Sequence, residues 1–256
     1  MSVFGQYARS YDLLNRDKDY EAETKHADAL LRGQGDRPRT LLDIGCGTGR
    51  YALEFAKLGY TVLGIDLSNE MVERANLLRD SQSADVAARM AFMQGDAARF
   101  DAGRRFDAAV ALFHVVNYQA TEPVLRDTFD NVSQHLSAGG LFLFDSWHGP
   151  AVLHLKPENR TRQVEDEHFR VVRHATPTLI ETQQVVDVRF DFEVTDQSRG
   201  HVARFTEMHK MRYLFQEEVS GLLEASGLEL LRAQEWITGD RPGKTSWSVS
   251  YLARKR

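Results

Sequence analysis

The sequence predicts an α/β fold built on a mostly parallel sheet with helices on both faces. Three observations carry that expectation. Short apolar runs alternate with amphipathic stretches from Thr40 to about Trp147, the pattern of crossover units. A glycine-rich turn, "GCGTGR" from Gly45 to Arg50, separates the first run from the first amphipathic stretch. After about Pro150 the texture changes to strict alternation, "QVVDVRFDFEV", which reads as a half-buried antiparallel strand.

Taken in order, "DYEAETKHADALLRGQGDRPR" is an amphipathic helix through Leu31, closed by the turn-rich stretch from Gly33 to Pro38. "TLLDIG" is a buried strand, "RYALEFAKLG" a helix ending at Gly59, and "TVLGID" a second strand. "NEMVERANLL" is a helix with Ser68 or Asn69 at its cap. "MAFMQGD" and "FDAAVALF" read as strands three and four. "PVLRDTFDNVSQHLSAGG" reads as a helix with glycines at its end, and "LFLFDSW" as strand five. Val186, Val188, Phe190, Phe192 and Val194 then alternate with Asp187, Arg189, Asp191 and Glu193. "ARFTEMHKMRYL" is the expected partner strand. The chain closes with a helix ("QEEVSGLLEASG"), a strand ("LELLRAQEW"), a Gly/Pro loop and a last strand ("WSVSYLARK"). One domain over 1–256 is expected. Its parts are a helical cap at 1–38, a core at 39–146, an antiparallel insertion at 147–213 and closing elements at 214–256.

Composition narrows the function. The 256 residues are 42% hydrophobic and 27% charged, as in ordinary globular proteins. The net charge of -5 argues against nucleic acid as the main partner, since phosphate neutralisation needs a basic surface. No run is apolar enough to span a membrane, and "MSVFGQYARSYD" lacks the order of a signal peptide. Cys46 is the single cysteine, so neither an intrachain disulfide nor a cysteine metal cluster is expected. A cytoplasmic setting follows as the expectation.

Gly45, Gly47 and Gly49 form G-x-G-x-G, with Arg50 where the dinucleotide fingerprint has its third glycine. No Gly-Lys-Ser/Thr follows, which excludes a P-loop. Asp43, two residues before the first glycine, would repel a diphosphate but tolerate a ligand with a positive centre. S-adenosylmethionine, a sulfonium carrying an amino acid and an adenosine, is such a ligand. Its carboxylate suits the helix N-terminal amides after Gly49. Asp66 ends the second strand, at the place from which a carboxylate takes both ribose hydroxyls. Asp96 ends the third, where it can accept from an adenine amino group.

With these residues in place, "LLDIGCGTGRYALEFAKLGYTVLGIDLSNEMVERA" resembles the class I S-adenosylmethionine-dependent methyltransferases, in D-x-G-x-G-x-G followed by D-x-S-x-x-M-x-x-x-A. The resemblance implies a Rossmann-like, seven-stranded sheet whose last strand runs antiparallel. It places Gly45 and Gly47 beside the methionine moiety and Asp66 on the ribose, with Leu67 next to it. Met71 lies against the adenine, Asp96 and Ala97 at its edge, and Phe113 where backbone meets the cofactor's amino acid. The opening "YARSYDLLNRDKDYEAE" is similar to that of N-methyltransferases acting on nucleotide-linked amino sugars. In that group a tyrosine-rich segment, here Tyr7, Tyr11 and Tyr20, folds over the cofactor, and the insertion pairs two subunits into a homodimer.

The methyl acceptor, expected to be a small polar molecule, should lie after strands four and five. "LFHVVNYQ" brings His114, Asn117 and Tyr118 there, and "FDSWHGP" brings Asp145, Trp147 and His148. The sugar enzymes tend to carry histidine near the position of Tyr118, a departure in this chain. An amine acceptor must arrive neutral or lose its proton and a hydroxyl needs a base, and histidine suits either near neutral pH. His148 and His114 are therefore the catalytic candidates, with Tyr118 as an orienting hydroxyl. Glu207 and His209 share one face of the later strand and are further candidates. No Asn/Asp-Pro-Pro-aromatic run of base-modifying enzymes follows strand four, and no metal-binding set of acids is evident. N-methylation of an amino sugar is the first expectation. Small-molecule O-methylation, a non-catalytic cofactor-binding protein and an NAD-dependent oxidoreductase are the alternatives.

Overall fold

A computed structural model describes residues 11–35 and 37–256. The first described helix with full bounds, α1 (Tyr20–Arg32), is capped by Asp19, whose side chain accepts from Ala22 N at 2.9 Å. It is followed by β1 (Thr40–Ile44), α2 (Arg50–Lys57), β2 (Thr61–Asp66), α3 (Asn69–Asp80), the single turn α4 (Ala84–Ala87) and β3 (Met90–Gln94). Then come β4 (Phe106–Ala111), a 3-10 turn (Val115–Tyr118), α5 (Glu122–Gln134), β5 (Leu136–Trp147) and α6 (Gly149–Leu155). Four further strands follow: β6 (Arg160–Glu165), β7 (Phe169–Ile180), β8 (Val185–Asp196) and β9 (His201–Arg212). The chain closes with α7 (Gln216–Ala225), β10 (Leu228–Glu235) and β11 (Ser248–Lys255).

The main sheet has seven strands in the order β10-β11-β5-β4-β1-β2-β3. β1 pairs in parallel with β2 and β4, while β11 runs antiparallel to both β5 and β10. The expected architecture, with its last strand reversed, is present. Both faces of the sheet are covered, which explains the unbroken apolar runs. In "LFLF" of β5, Leu141 and Leu143 pack toward α1 and α2, whereas Phe142 and Phe144 pack toward α5 and α7. The order of connection reverses between β1 and β4, so the carboxyl ends of these strands open a crevice.

Two elements differ from the sequence expectation. The helix before strand five stops at Gln134, and Gly139 and Gly140 belong to β5 rather than to a helix end. His135 explains the early stop: it accepts from Ala102 N at 3.1 Å through Nε2, while Leu136 already pairs with Phe106. The insertion also has four strands, in the order β6-β7-β8-β9, where alternation alone predicts two. β6 has a single buried residue, Val164, and β7 carries Pro177, so neither shows a clean period of two. β8 pairs along its whole length with both β7 and β9, and is the only one of the four to have two long partners.

Buried Asn117 joins the insertion to the core. Its Nδ2 donates to Arg212 O, and its Oδ1 accepts from Trp147 N at 3.2 Å. Asn117, read from the sequence as an acceptor-side residue, thus has a structural task. Among the described residues no helix is long and apolar enough to cross a membrane, and no group of three or more metal-ligating side chains occurs.

Candidate active site

A cavity of about 770 Å³ lies beyond the carboxyl ends of the central strands, roofed by β6–β9 on one side and by the segment from Tyr11 to Tyr20 on another. A second concavity of about 1060 Å³, lined by Arg37, Arg39 and Arg89, sits at the opposite ends of the strands. It holds none of the glycine-loop residues, so the chemistry belongs to the first.

Gly45 and Gly47 have φ of 66° and 53°, a region open to glycine at little cost. A Cβ at Gly45 would stand 2.6 Å from both γ-carbons of Val115. A Cβ at Gly47 would meet nothing closer than Tyr11 Oη at 3.9 Å, inside the cavity wall. The missing side chains therefore make the floor of the site. Asp66 steadies this floor by accepting from Gly47 N and Ser68 N, each at 2.9 Å. Burial raises its carboxyl above the ordinary value, and those two amides oppose the rise. Ser68 caps α3 through Met71 N at 3.4 Å and so places Met71 on the cavity wall. Leu67 lies beside it, 70% exposed. Asp96 also lines the cavity with Ala97. Its carboxyl is held below its usual value, first by Ala98 N and also by Arg99, against a smaller effect of burial.

Asp43 stands behind this floor, not on the cavity wall. It is buried, and its Oδ2 has no hydrogen-bond partner among the described residues. Burial, then the charge of Asp66, pushes its carboxyl up to about 8. An orphaned buried carboxyl next to the cavity fits a ligand with a positive centre and no phosphate. Because this value is raised, the folded, ligand-free protein binds the proton more tightly than the unfolded chain. The stabilising contribution is complete below about pH 4 and is lost as pH rises through about 8. Asp43→Asn should therefore gain stability relative to the parent when denaturant unfolding at pH 9 is compared with pH 6. Parallel pH slopes in the two proteins would remove Asp43 from this role.

The N-terminal segment is tied down over the loop. Asp12 accepts from Thr48 Oγ1 and from Arg74 Nη2, both at 2.8 Å. Tyr11 and Tyr20 line the cavity, and Tyr20 meets Tyr51 edge-on at 5.0 Å. Tyr7, the third tyrosine of that segment, lies outside the described residues. Lys18 pairs with Glu23 at 2.5 Å and lies over the Phe113 ring at 4.2 Å.

After β4, Phe113 and His114 both adopt positive φ, 67° and 65°. Two successive non-glycine residues there cost on the order of 1–3 kcal/mol each and persist only where neighbours impose them. Asp145, at the end of β5, supplies the constraint: Oδ1 accepts from His114 N at 3.1 Å, and Oδ2 lies 2.6 Å from Nδ1. Burial alone would raise the Asp145 carboxyl, yet the charge and bonds of His114 outweigh it and hold it below its usual value.

The other half of the cavity is walled by Trp147 and Trp247, edge-to-face at 5.6 Å, and by residues of the insertion. Tyr118 Oη lies 2.8 Å from His209 Nδ1, and His209 Nε2 lies 3.0 Å from Glu207 Oε2. Arg160 and Arg173 reach the same wall from β6 and β7. His114 and Tyr118 are thus where the sequence placed them, but His148 is not brought to the cavity. It is 6% exposed, precedes α6, and is fixed through its own N to Trp247 O at 2.9 Å. Burial lowers its ring's basicity, opposed by the backbone at Gly243 and Ser246. The catalytic role read for His148 is corrected on that ground, because α6 turns the chain away immediately after β5. The sequence missed Trp247, which lies far along the chain just before β11, and Arg160 and Arg173, which lie in strands without clean alternation.

Comparison with known proteins finds methyltransferases. Residues 41–140 match a family model described as a methyltransferase domain. The chain is similar to dTDP-3-amino-3,4,6-trideoxy-alpha-D-glucopyranose N,N-dimethyltransferase of Streptomyces venezuelae, 28% identical over 93% of this chain and 94% of that one. It is as similar, 28% over 99% and 97%, to the putative methyltransferase YqeM of Bacillus subtilis. In structure it matches the sugar N-methyltransferase KedS8 from Streptoalloteichus sp. with a TM-score of 0.80, at 24% identity, over 100% of this chain and 93% of the other. The seven-stranded sheet with its reversed last strand, the glycine floor and the acids at the ends of β1 to β3 are those expected of a class I S-adenosylmethionine-dependent methyltransferase. Residues 41–140 thus carry the methyltransferase domain, and S-adenosylmethionine is the methyl donor that this site fits. Within the family it resembles the amino-sugar N-methyltransferases.

Proposed function

We propose that the chain methylates an amino group on a nucleotide-linked sugar. The observation that carries this reading is the lining of the acceptor half of the cavity, which combines two indoles, Trp147 and Trp247, with two guanidinium groups, Arg160 and Arg173. Indole faces suit the apolar side of a deoxygenated sugar ring. Guanidinium groups suit phosphate oxygens. The names of the sugar-modifying relatives support the same acceptor class.

Bound S-adenosylmethionine supplies an already activated methyl group for in-line displacement. Asp66 would take the ribose hydroxyls, Met71 and Leu67 the adenine faces, Asp96 and Ala97 its edge. Gly45, Gly47 and the Phe113 backbone would take the amino-acid end, with Asp43 behind. Tyr11 would close over the site, since its segment is anchored by Asp12. The remaining task of the protein is alignment of the acceptor nitrogen, an entropic gain worth several kcal/mol or more. His114, positioned by Asp145, and Tyr118 face that nitrogen. A second copy of the chain would pair through β9, an edge strand of the insertion sheet with Val202 and Met208 exposed; sedimentation would register a species of twice the mass.

Incubating the purified protein with labelled methyl donor and a panel of thymidine-diphosphate amino sugars, hydroxy sugars and simple amines tests the reading. The expected product is an N-methylated amino sugar, with mono- and dimethyl forms separated by mass. Label transferred only to hydroxyl groups would overturn it in favour of O-methylation.

A further inference from the structure

Tyr118, His209 and Glu207 come from parts of the chain about ninety residues apart, yet they form one hydrogen-bonded line that starts in the cavity. Tyr118 lies in the 3-10 turn after β4, while His209 and Glu207 are on β9. Along that strand the inward face is otherwise apolar, with Phe205 and Met211 on either side and Phe190 and Val188 opposite in register. Two polar side chains on an apolar face need partners, and here they satisfy each other. Phe190 stands edge-on to the His209 ring at 4.8 Å and fixes its plane.

Tyr118 is 49% exposed and lines the cavity. Its hydroxyl is pushed up to about 12 by burial, then by the charges of Glu207 and Asp66, with Arg173 opposing. It therefore remains a hydroxyl, able to donate to His209 Nδ1 and to offer a lone pair to the acceptor. His209 in turn must carry its proton on Nε2, facing Glu207. The charged and titratable groups around the line are Glu207 on β9, Arg173 on β7 and Asp66 at the end of β2.

We propose that Tyr118, His209 and Glu207 form a proton relay that deprotonates the acceptor ammonium group before methyl transfer, resting on the amine reading above. The N–H bond of the ammonium breaks and its electron pair stays on nitrogen as the attacking lone pair. Tyr118 Oη takes that proton as it gives its own to His209 Nδ1. The imidazolium so formed is neutralised by Glu207, and no electrons change hands. Tyr118 is the catalytic residue, since it faces the acceptor; His209 stores the proton, and Glu207 is a positioning residue. The relay provides on the insertion sheet what a histidine near position 118 would provide directly. It also gives the insertion a part in the reaction in addition to forming a wall.

The test compares the pH dependence of kcat/KM in the parent, His209→Ala, His209→Gln and Tyr118→Phe, using an amino-sugar acceptor the parent methylates. General acid–base groups contribute about 10²–10⁴-fold, so His209→Ala should lose about 100-fold near pH 7. That loss should shrink below about tenfold near pH 9.5, where solution already supplies the neutral amine. Affinity for S-adenosylhomocysteine, measured by calorimetry, should be unchanged in all variants. Glu207→Gln should move the acid limb to lower pH by about one unit, because it removes the charge that stabilises the imidazolium. A loss that is equal at every pH, no loss, or the same alkaline rescue in His114→Asn but not in His209→Ala would overturn the relay. Nitrogen-15 spectra of the free protein give a readout that needs no acceptor: His209 must show the Nε2–H tautomer in the parent. An Nδ1–H tautomer sinks the relay whatever the acceptor proves to be. Failure of the parent to methylate any amine, with that tautomer in place, sinks the amine reading instead.

Discussion

Asp66→Ala should weaken S-adenosylhomocysteine binding at least about 100-fold in calorimetry, on the order of 3 kcal/mol. The carboxylate does two jobs that no other described residue shares. It holds the glycine floor and the start of α3 together through Gly47 N and Ser68 N, each at 2.9 Å. It also lines the cavity with the charge suited to two ribose hydroxyls. Asp66→Asn keeps an acceptor oxygen for one amide and should fall between, with a loss of about tenfold. Denaturant unfolding must accompany the titration, because freeing two loop amides also costs folding stability. Affinity within twofold of the parent in the alanine variant would remove this cavity as the adenosine site.

Gly45→Ala should be among the most damaging single-methyl changes at the described glycines. It adds a Cβ at 2.6 Å from the two γ-carbons of Val115 and forces alanine to hold φ of 66°. Backbone strain and overpacking together cost about 2–4 kcal/mol. Val115 opens the 3-10 turn that carries Tyr118, so relief by movement of that turn would disturb the acceptor side as well. Turnover should fall about 100-fold or more. Gly103→Ala separates the two effects, since Gly103 has φ of 63° with nothing within 4 Å of a Cβ. It should show the strain without the clash. Adding Val115→Ala to Gly45→Ala should recover part of the turnover and leave the strain in place. If the Gly45 and Gly103 variants unfold alike and both turn over normally, the close packing of loop against turn is not required.

The cofactor half of the site was legible because its residues are local in sequence. Asp43, Gly45, Gly47, Asp66 and Met71 lie within one strand-helix-strand-helix unit, and the spacing of such a unit fixes which residues share its crevice. Even there, burial had to be read from the structure: Asp43 is behind the floor, with one carboxyl oxygen lacking a partner among the described residues. The acceptor half was less legible because it is assembled from distant segments. His148 follows strand five as His114 follows strand four, and sequence position alone gave the two equal standing. The helix α6 turns one of them away from the cavity, while Asp145 draws the other onto its wall.

The sequence by itself determined the alternating α/β core, the reversed closing strand implied by family resemblance, and the expectation of S-adenosylmethionine as cofactor. Those follow from periodicity, turn chemistry and the placement of charge within a few residues of each strand end. Only the tertiary structure decided that the insertion has four strands, that Asn117 clamps it to the core, and that His209 and Glu207 meet Tyr118. Contacts between residues ninety positions apart depend on how two sheets pack. Packing is set by the summed shape of many apolar side chains rather than by any pattern along one segment.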